Sequence, residues 1–277
     1  MRLFLVDIHG LVHRLYWKLP SMKIEGKERG ALFGVAKTLM DMVRYEEPEF
    51  IAICADAPGK KWRHEIYPEY KAKRDPLPDA LREQLHDLRS VVECLGLPWL
   101  VKERFEADDI IAELCRSREF SGVHKVIVSV DKDLSQLVGH ETSQLDPSNG
   151  KMFDSSVVQE KFGVPPSMMA AYLALVGDSS DNVKGVAGIG AVAAKRILNG
   201  QSTKADDAKL IAGAESHALS RVLVELPGSQ KPQLGTKLSD LVCNLKSPRE
   251  LCSALRSWGF ESIAREAQTI EQPEMVL

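Results

Sequence analysis

Three short apolar runs share one plan, passing through aliphatic and β-branched positions and stopping at aspartate. LFLVD ends at Asp7, FIAICAD at Asp56, and KVIVSVDKD at Asp131 and Asp133. Their length and β-branched content suit buried parallel strands, which are apolar on both faces. Between them lie ALFGVAKTLMDMV (31–43) and ALREQLHDLRSVVECL (80–95), whose apolar positions recur every three or four residues and predict helices. This alternation predicts an α/β fold with a mostly parallel central sheet flanked by helices. In such sheets ligands bind outside the carboxyl ends of the strands, where these aspartates fall.

After about residue 160 the pattern becomes helical. SMMAAYLALVG (167–177), AVAAKRIL (191–198), KADDAKLIAG (204–213) and SDLVCNL (239–245) predict a separate C-terminal part, giving domains of 1–160 and 161–277. The loop PGSQKPQLGTK (227–237) and the polar tail beyond Gln268 are expected to be mobile. There is no internal repeat and no low-complexity tract.

With 277 residues, 44% of them hydrophobic and 27% charged, the chain can bury one substantial core or two modest ones, which excludes a disordered chain. The apolar run Leu3 to Val6 is too short for a signal-peptide core, and nothing approaches the roughly 18 residues of a membrane span. A cytoplasmic protein that does not engage membranes is expected. Cys54, Cys94, Cys115, Cys243 and Cys252 form an odd set without a C-x-x-C pair and are expected to be reduced, buried and inert. The net charge of −3 does not by itself point to nucleic acid.

Local charge is more informative. RFEADDIIAEL (104–114) places Glu106, Asp108 and Asp109 at the start of an apolar helical pattern. Like charges about 4 Å apart repel by roughly 4 kcal/mol at an effective dielectric of 20, so the cluster needs a counter-charge. Asp and Glu do favour first helical turns, by about 0.3–1 kcal/mol each, and that accounts for one or two acids but not for three beside three strand-end aspartates. Oxygen ligands without a His/Cys pattern select Mg²⁺ or Mn²⁺ over zinc, and such ions would offset the repulsion.

GDSSDN adds Asp178 and Asp181, either of which alone would read as a turn or cap residue. The glycines that follow, in VKGVAGIGAVAAKRIL, have G-x-x-G-x-G spacing after a helix and a turn, which argues against a dinucleotide loop. GIGAVAA instead resembles the helix-hairpin-helix pattern G-x-G-x-x-x-A, in which backbone N–H groups approach a DNA phosphate without reading bases. Finally, KKWRHEIYPEYKAKR (60–74) carries six Lys/Arg against two Glu, interleaved with Trp62, Tyr67 and Tyr70. A solvated basic face is the ordinary explanation of such a run. Its start four residues after Asp56 favours phosphate binding and base stacking.

Taken together, VDIHGLVHRLY, DAPGKKWRHEIYPEYKAKR, EADDIIAEL, SVDKDLSQL and GDSSDNVKGVAGIGAVAAKRIL resemble, in order and over roughly residues 3–198, the 5′-nuclease family. That family includes the 5′-to-3′ exonuclease domain of bacterial DNA polymerase I, phage 5′-exonucleases and flap endonucleases. The resemblance implies a structure-dependent 5′-nuclease acting in replication or repair, with two Mg²⁺ or Mn²⁺ ions. Asp56 and Asp108, with Asp7 and Glu106, would hold the first ion; Asp131, Asp133 and Asp181, with Asp178, the second; Asp109 would serve either or lie outside both. It implies catalytic roles for Lys71 and Arg74 as well as for Asp56 and Asp108. An arch at about 57–85 would bring Lys60, Lys61, Arg63, Tyr67, Tyr70 and Lys73 to DNA.

Gly185, Gly188, Gly190 and Lys195, in a helix-hairpin-helix motif at about 177–200, would grip duplex, with K⁺ at the turn. Substrates would be DNA with 5′ ends or 5′ flaps, RNA primer–DNA hybrids included, met by a monomer. Ile8 and His9 depart from the small residues the family usually has after its first aspartate, and no polymerase domain is expected to follow. Two rival readings are a PIN-type metal-dependent ribonuclease, against which the segment 177–198 argues, and a catalytically silent DNA-binding protein, against which the full acidic set argues.

Overall fold

A computed structural model describes residues 1–19 and 21–268; the tail expected to be mobile lies outside the described residues. The chain divides into two compact units that interleave in sequence, one of residues 1–55, 77–100 and 236–268, the other of 56–76 and 101–235. The division does not follow the boundary expected near residue 160. Residues 236–268 pack with the N-terminal segments, and 161–235 with the acidic stretches.

In the first unit, β1 (Arg2–Asp7) and β4 (Phe50–Ala55) pair in parallel, with Asp7 opposite Cys54. Beyond its first residue each strand is buried throughout, as its unbroken apolar run requires. Helix α1 (Ile8–Lys18) follows without a loop, and Asp7 caps it by accepting from the Gly10 N–H at 2.9 Å. A Cβ on Gly10 would lie 2.2 Å from Asp7 Oδ2, so only glycine lets the carboxylate fold over the helix start.

Helices α2 (Gly30–Glu46) and α4 (Asp79–Leu95) bury Leu32, Val35 and Leu39, and Leu81, Leu88, Val91 and Leu95. Those positions match the predicted apolar faces. The unit also holds a hairpin of β2 (Lys23–Ile24) and β3 (Lys27–Glu28), and helices α11 (Pro248–Ser257) and α12 (Glu261–Ala267). Strand β5 (Trp99–Val101) straddles its boundary.

The second unit carries β6 (His124–Val128) parallel to β7 (Thr142–Leu145), and β8 (Met152–Phe153) antiparallel to β7. Among the described residues, these three strands and β1, β4 and β5 belong to one six-stranded, mostly parallel sheet. The helices of this unit are α3 (Trp62–Ile66), α5 (Ala107–Arg116), α6 (Ser155–Phe162), α7 (Met169–Val176), α8 (Ala191–Leu198), α9 (Lys204–Ala212) and α10 (Ala214–Val224). Val158, Val164, Met169, Leu173, Val183 and Leu223 form their core around Tyr70, while Leu175, Val186, Ile189 and Ala194 join α7 to α8.

The predicted segments 31–43, 80–95 and 191–198 are helical, and 204–213 is helical to Ala212. Segment 167–177 enters its helix through a 3-10 turn at Pro166–Met168. Segment 239–245 is not a helix. After a 3-10 turn at Leu238–Leu241, Val242 bridges to Phe50 and the Cys243 N–H donates to the Glu49 carbonyl at 2.9 Å. Seven residues are too few to hold a helix alone, and the start of β4 offers better backbone partners.

The 227–237 loop has no helix or strand, yet it begins anchored. Gly228 packs so close to the Trp62 ring that a Cβ there would lie 2.5 Å from it. All five cysteines are free; Cys54 and Cys252 are buried, and the other three, expected buried, are half-buried. Burial pushes the Cys115 thiol up to about 12 and those of Cys94 and Cys243 up to about 11, which keeps them protonated and unreactive. No described helix is long and apolar enough to cross a membrane.

Helix α2 starts without a side-chain cap of its own. The buried Gln84 of α4 supplies one, its Oε1 accepting from the Ala31 and Leu32 N–H groups at 2.9 and 3.2 Å. Gln84→Leu leaves both donors unsatisfied, and we expect a loss of about 1–3 kcal/mol in urea denaturation.

A candidate metal and nucleic-acid site

All but one of the expected acids lie in the second unit, each held by a local device. Glu106 is the N-cap of α5, with Asp108 and Asp109 in the first turn. Asp56, directly after β4, accepts from the Ala107 N–H at 2.8 Å and so fixes that turn. Asp131 follows β6 and accepts from the Asp133 N–H at 2.9 Å, while Asp133 opens the 3-10 helix Asp133–Leu137. Asp178 pairs its backbone with Val183 in the turn between α7 and α8, and accepts at Oδ1 from the Ser180 N–H and hydroxyl. The outlier is Asp7, in the first unit at the carboxyl end of β1.

These carboxylates are not left to repel one another. Arg63 is buried and donates through Nη1 to Glu106 Oε2 and Asp109 Oδ2, through Nη2 to Asp109 Oδ1, each at 2.9 Å, and through Nε to the Leu223 carbonyl at 2.8 Å. Trp62 stacks under the guanidinium at 4.4 Å and donates its indole N–H to Asp109 at 3.1 Å. Burial alone would lower the Arg63 pKa; the charges of Asp109, Tyr70 and Glu106 outweigh it and raise the value. Lys71 bridges two acids distant in sequence, with Nζ 2.5 Å from Glu106 and 3.6 Å from Asp181. Asp181 also accepts from the Tyr70 hydroxyl at 2.8 Å and from Arg74 at 2.5 Å. Burial would raise the Glu106 carboxyl, but Lys71 and Arg63 hold it below the usual carboxylate value.

The geometry therefore separates acids with different roles. Asp109 is fully buried with both oxygens taken by Arg63 and Trp62, which makes it an anchor and leaves nothing for an ion. Asp56 and Asp108 are half-buried and Asp131 is exposed. Asp133 Oδ1 is buried without a hydrogen-bond partner. Burial, and then the neighbouring Asp131 charge, push the Asp133 carboxyl up to about 8. An orphaned buried oxygen within an all-carboxylate set fits a hard cation. Among the described residues no three His, Cys, Asp or Glu side chains converge closely enough to hold an ion as they stand. Ammonium and guanidinium groups are interposed between the acids instead.

Several expected DNA contacts are corrected. Arg63, Tyr70 and Lys61 are buried, as is Trp62, so none of them is a surface for DNA. Arg63 is consumed by the acids, and the Tyr70 hydroxyl reaches Glu106 and Asp181. Lys61 donates to the Ala57 and Gly59 carbonyls. Tyr67 is half-buried with its hydroxyl on Glu69.

Lys60, Lys73 and Arg74 are exposed, as are Gly188 and Gly190, whereas Gly185 is buried and Lys195 half-buried. At the glycine turn a Cβ on Gly185 would lie 2.5 Å from Gly177 N, so both residues must remain bare for α7 and α8 to meet. The Gly185 carbonyl accepts from Ser216 and that of Gly188 from Lys209, two partners the motif spacing does not reveal. Sequence reading also passed over Lys132, whose Nζ lies 2.5 Å from Asp178, although it stands between two of the quoted acids.

A family profile described as the 5′-3′ exonuclease, N-terminal resolvase-like domain matches residues 2–163. A "5′-3′ exonuclease" of Aquifex aeolicus is 36% identical over 197 residues, covering 71% of this chain and 68% of that protein. DNA polymerase I of Pseudomonas aeruginosa is 39% identical over 199 residues, covering 72% of this chain but 22% of that protein, so the match spans less than a quarter of the polymerase. In fold the chain is similar to a zinc-bound T5 5′-exonuclease, with a TM-score of 0.69 at 20% identity over 98% of this chain and 99% of that one. It is also similar to the catalytic core of Rad2 in complex with DNA, with a TM-score of 0.61 at 16% identity over 98% and 92%.

Two outcomes follow from this charge network. Arg63→Met strands Asp109 as an uncompensated buried charge and leaves Glu106 to the Lys71 cation, and we expect a loss of about 3–5 kcal/mol in denaturant titrations. In the second, hydrogen bonds from Arg196 and Thr203 hold the Asp206 carboxyl down at about 2 and tie α8 to α9. A depressed carboxyl stabilises the fold where it is ionised, above its unfolded value near 4. We therefore expect this contribution to fade as pH falls from about 4 towards 2. Asp206→Asn should lie below the wild type in urea midpoint at neutral pH, with the gap closing near pH 2.

Proposed function

Because this chain belongs to the 5′-to-3′ exonuclease family, we propose that it cleaves DNA phosphodiesters at 5′ ends and 5′ flaps, using two Mg²⁺ or Mn²⁺ ions. In this reading Asp56, Glu106 and Asp108 would hold one ion, and Asp131, Asp133, Asp178 and Asp181 the other. When bound, divalent ions activate water and offset charge at the phosphate. The observation that carries the reading is the Lys71 ammonium standing between Glu106 and Asp181, one residue from each acid group.

Burial would lower the Lys71 pKa, but Glu106 and Asp181 raise it, so the group stays cationic at any working pH. With metal held by those carboxylates, the Lys71 ammonium would be available to a phosphate oxygen and would stabilise negative charge developing there. Arg74 performs the same service from a more exposed position on Asp181. Tyr70 donates to both Glu106 and Asp181 and keeps them aligned. Lys60 and Lys73 guide the strand, and the exposed backbone of Gly188 and Gly190 at the start of α8 contacts a phosphate downstream. A K⁺ ion at this turn would have to displace the Lys209 ammonium from the Gly188 carbonyl.

The test is cleavage of an end-labelled 5′-flap duplex with Mg²⁺, beside an RNA-flap duplex. We expect DNA-flap cleavage that EDTA abolishes and Asp56→Asn removes. Lys71→Ala should lower turnover by about two to three powers of ten with an unchanged circular dichroism spectrum. A wild-type chain inert on DNA flaps, or an Asp56→Asn chain as active as the wild type, rejects the reading. Preference for the RNA flap would transfer the chain to ribonuclease chemistry.

A further inference from the structure

The positive groups among the acids differ in how firmly they are held. Arg63 has 3% of its side chain exposed and Lys71 19%, so both are enclosed. Lys132 is 40% exposed and donates one 2.5 Å contact, to Asp178 Oδ2, from a position 4.0 Å from Asp133 Oδ1. Asp178 has no other oxygen to offer, because its Oδ1 already accepts from the Ser180 N–H at 2.8 Å and hydroxyl at 2.6 Å. Asp133 Oδ1 is buried and has no hydrogen-bond partner. The ammonium thus stands on the one Asp178 oxygen that a metal ion would need, beside the one Asp133 oxygen that nothing satisfies.

An ammonium brings one positive charge and reaches only as far as its four-carbon stem allows. A divalent ion brings two charges and can bind both carboxylates at once, each at about 2.0–2.6 Å. The two cannot share Asp178 Oδ2. Because the Lys132 side chain is already part-exposed, it can turn into water at little desolvation cost, as Arg63 cannot.

We propose that Lys132 is a resident competitor of the ion bound by Asp133 and Asp178, holding Asp178 while the ion is absent and weakening its binding when present. The inference rests on the proposed function only in taking these acids to bind a metal ion. Its consequence is an ion that exchanges readily while the acids remain charge-balanced in its absence.

The test uses Mn²⁺ alone, without DNA, counting free ion by electron paramagnetic resonance and heat by titration calorimetry. For the wild type we expect two classes of Mn²⁺. Lys132→Met, which keeps the stem and loses the charge, should tighten the weaker class about three- to tenfold and leave the other unchanged. Lys132→Arg should stay near the wild type, and Asp178→Asn should remove the weaker class with or without Lys132.

A weaker class that is unchanged or loosened in Lys132→Met overturns the competitor role. If the wild type meanwhile cleaves a 5′ flap, the proposed function survives that result. A wild type that binds fewer than two Mn²⁺ and cleaves nothing overturns both.

Discussion

The second unit depends on a single buried guanidinium. Arg63 meets two carboxylates and a backbone carbonyl with all its contacts at 2.8–2.9 Å, and it joins the basic segment to α5 and to the end of α10. A charge so enclosed is tolerable only because each donor direction used has an acceptor and because a flat indole covers one face. The Leu223 carbonyl belongs to the last turn of α10, where unsatisfied carbonyls carry partial negative charge, so the helix end adds to the field of the two acids. This arrangement, with Lys71, settles much of the repulsion within EADD without any metal.

That solution sorts the acids by depth. Asp109 and one oxygen of Glu106 face inward to Arg63, while the other Glu106 oxygen meets Lys71, and Asp108, one residue before Asp109, remains half-buried. A helix start turns successive residues about 100° apart, so neighbouring acids can face the buried guanidinium and the more exposed side of the turn at once. Asp56 fastens the same turn from the other side through the Ala107 N–H. The first turn of α5 is thereby fixed by the protein's own hydrogen bonds.

What could be read from the chain and what could not follow a physical line. The strands β1, β4 and β6 and the long helices α2 and α4 were legible because burial on a sheet or helix face imposes a period on the sequence. The acid set was legible too, because carboxylates so dense demand a counter-charge. The identity of that counter-charge was not, since Arg63, Trp62 and Tyr70 look from sequence like a basic, aromatic surface for DNA, and only tertiary packing turns them inward. The interleaved units were hidden for the same reason: residues 236–268 carry no local mark that they pack with the N-terminal strands. Segment 239–245 was misread as helix because backbone pairing with the start of β4 overrides a weak local preference.

Gly228 carries a constraint out of proportion to its size. The indole of Trp62 fills the volume where any side chain at 228 would stand, and that indole both shields Arg63 and donates to Asp109. A methyl group introduced there would not remain a local defect in a loop. It would lever the ring away from the guanidinium, admit water to the ion cluster, and loosen the first turn of α5 more than a hundred residues earlier in the chain. The second residue of that loop therefore acts as a gauge for the electrostatics of the buried ion cluster.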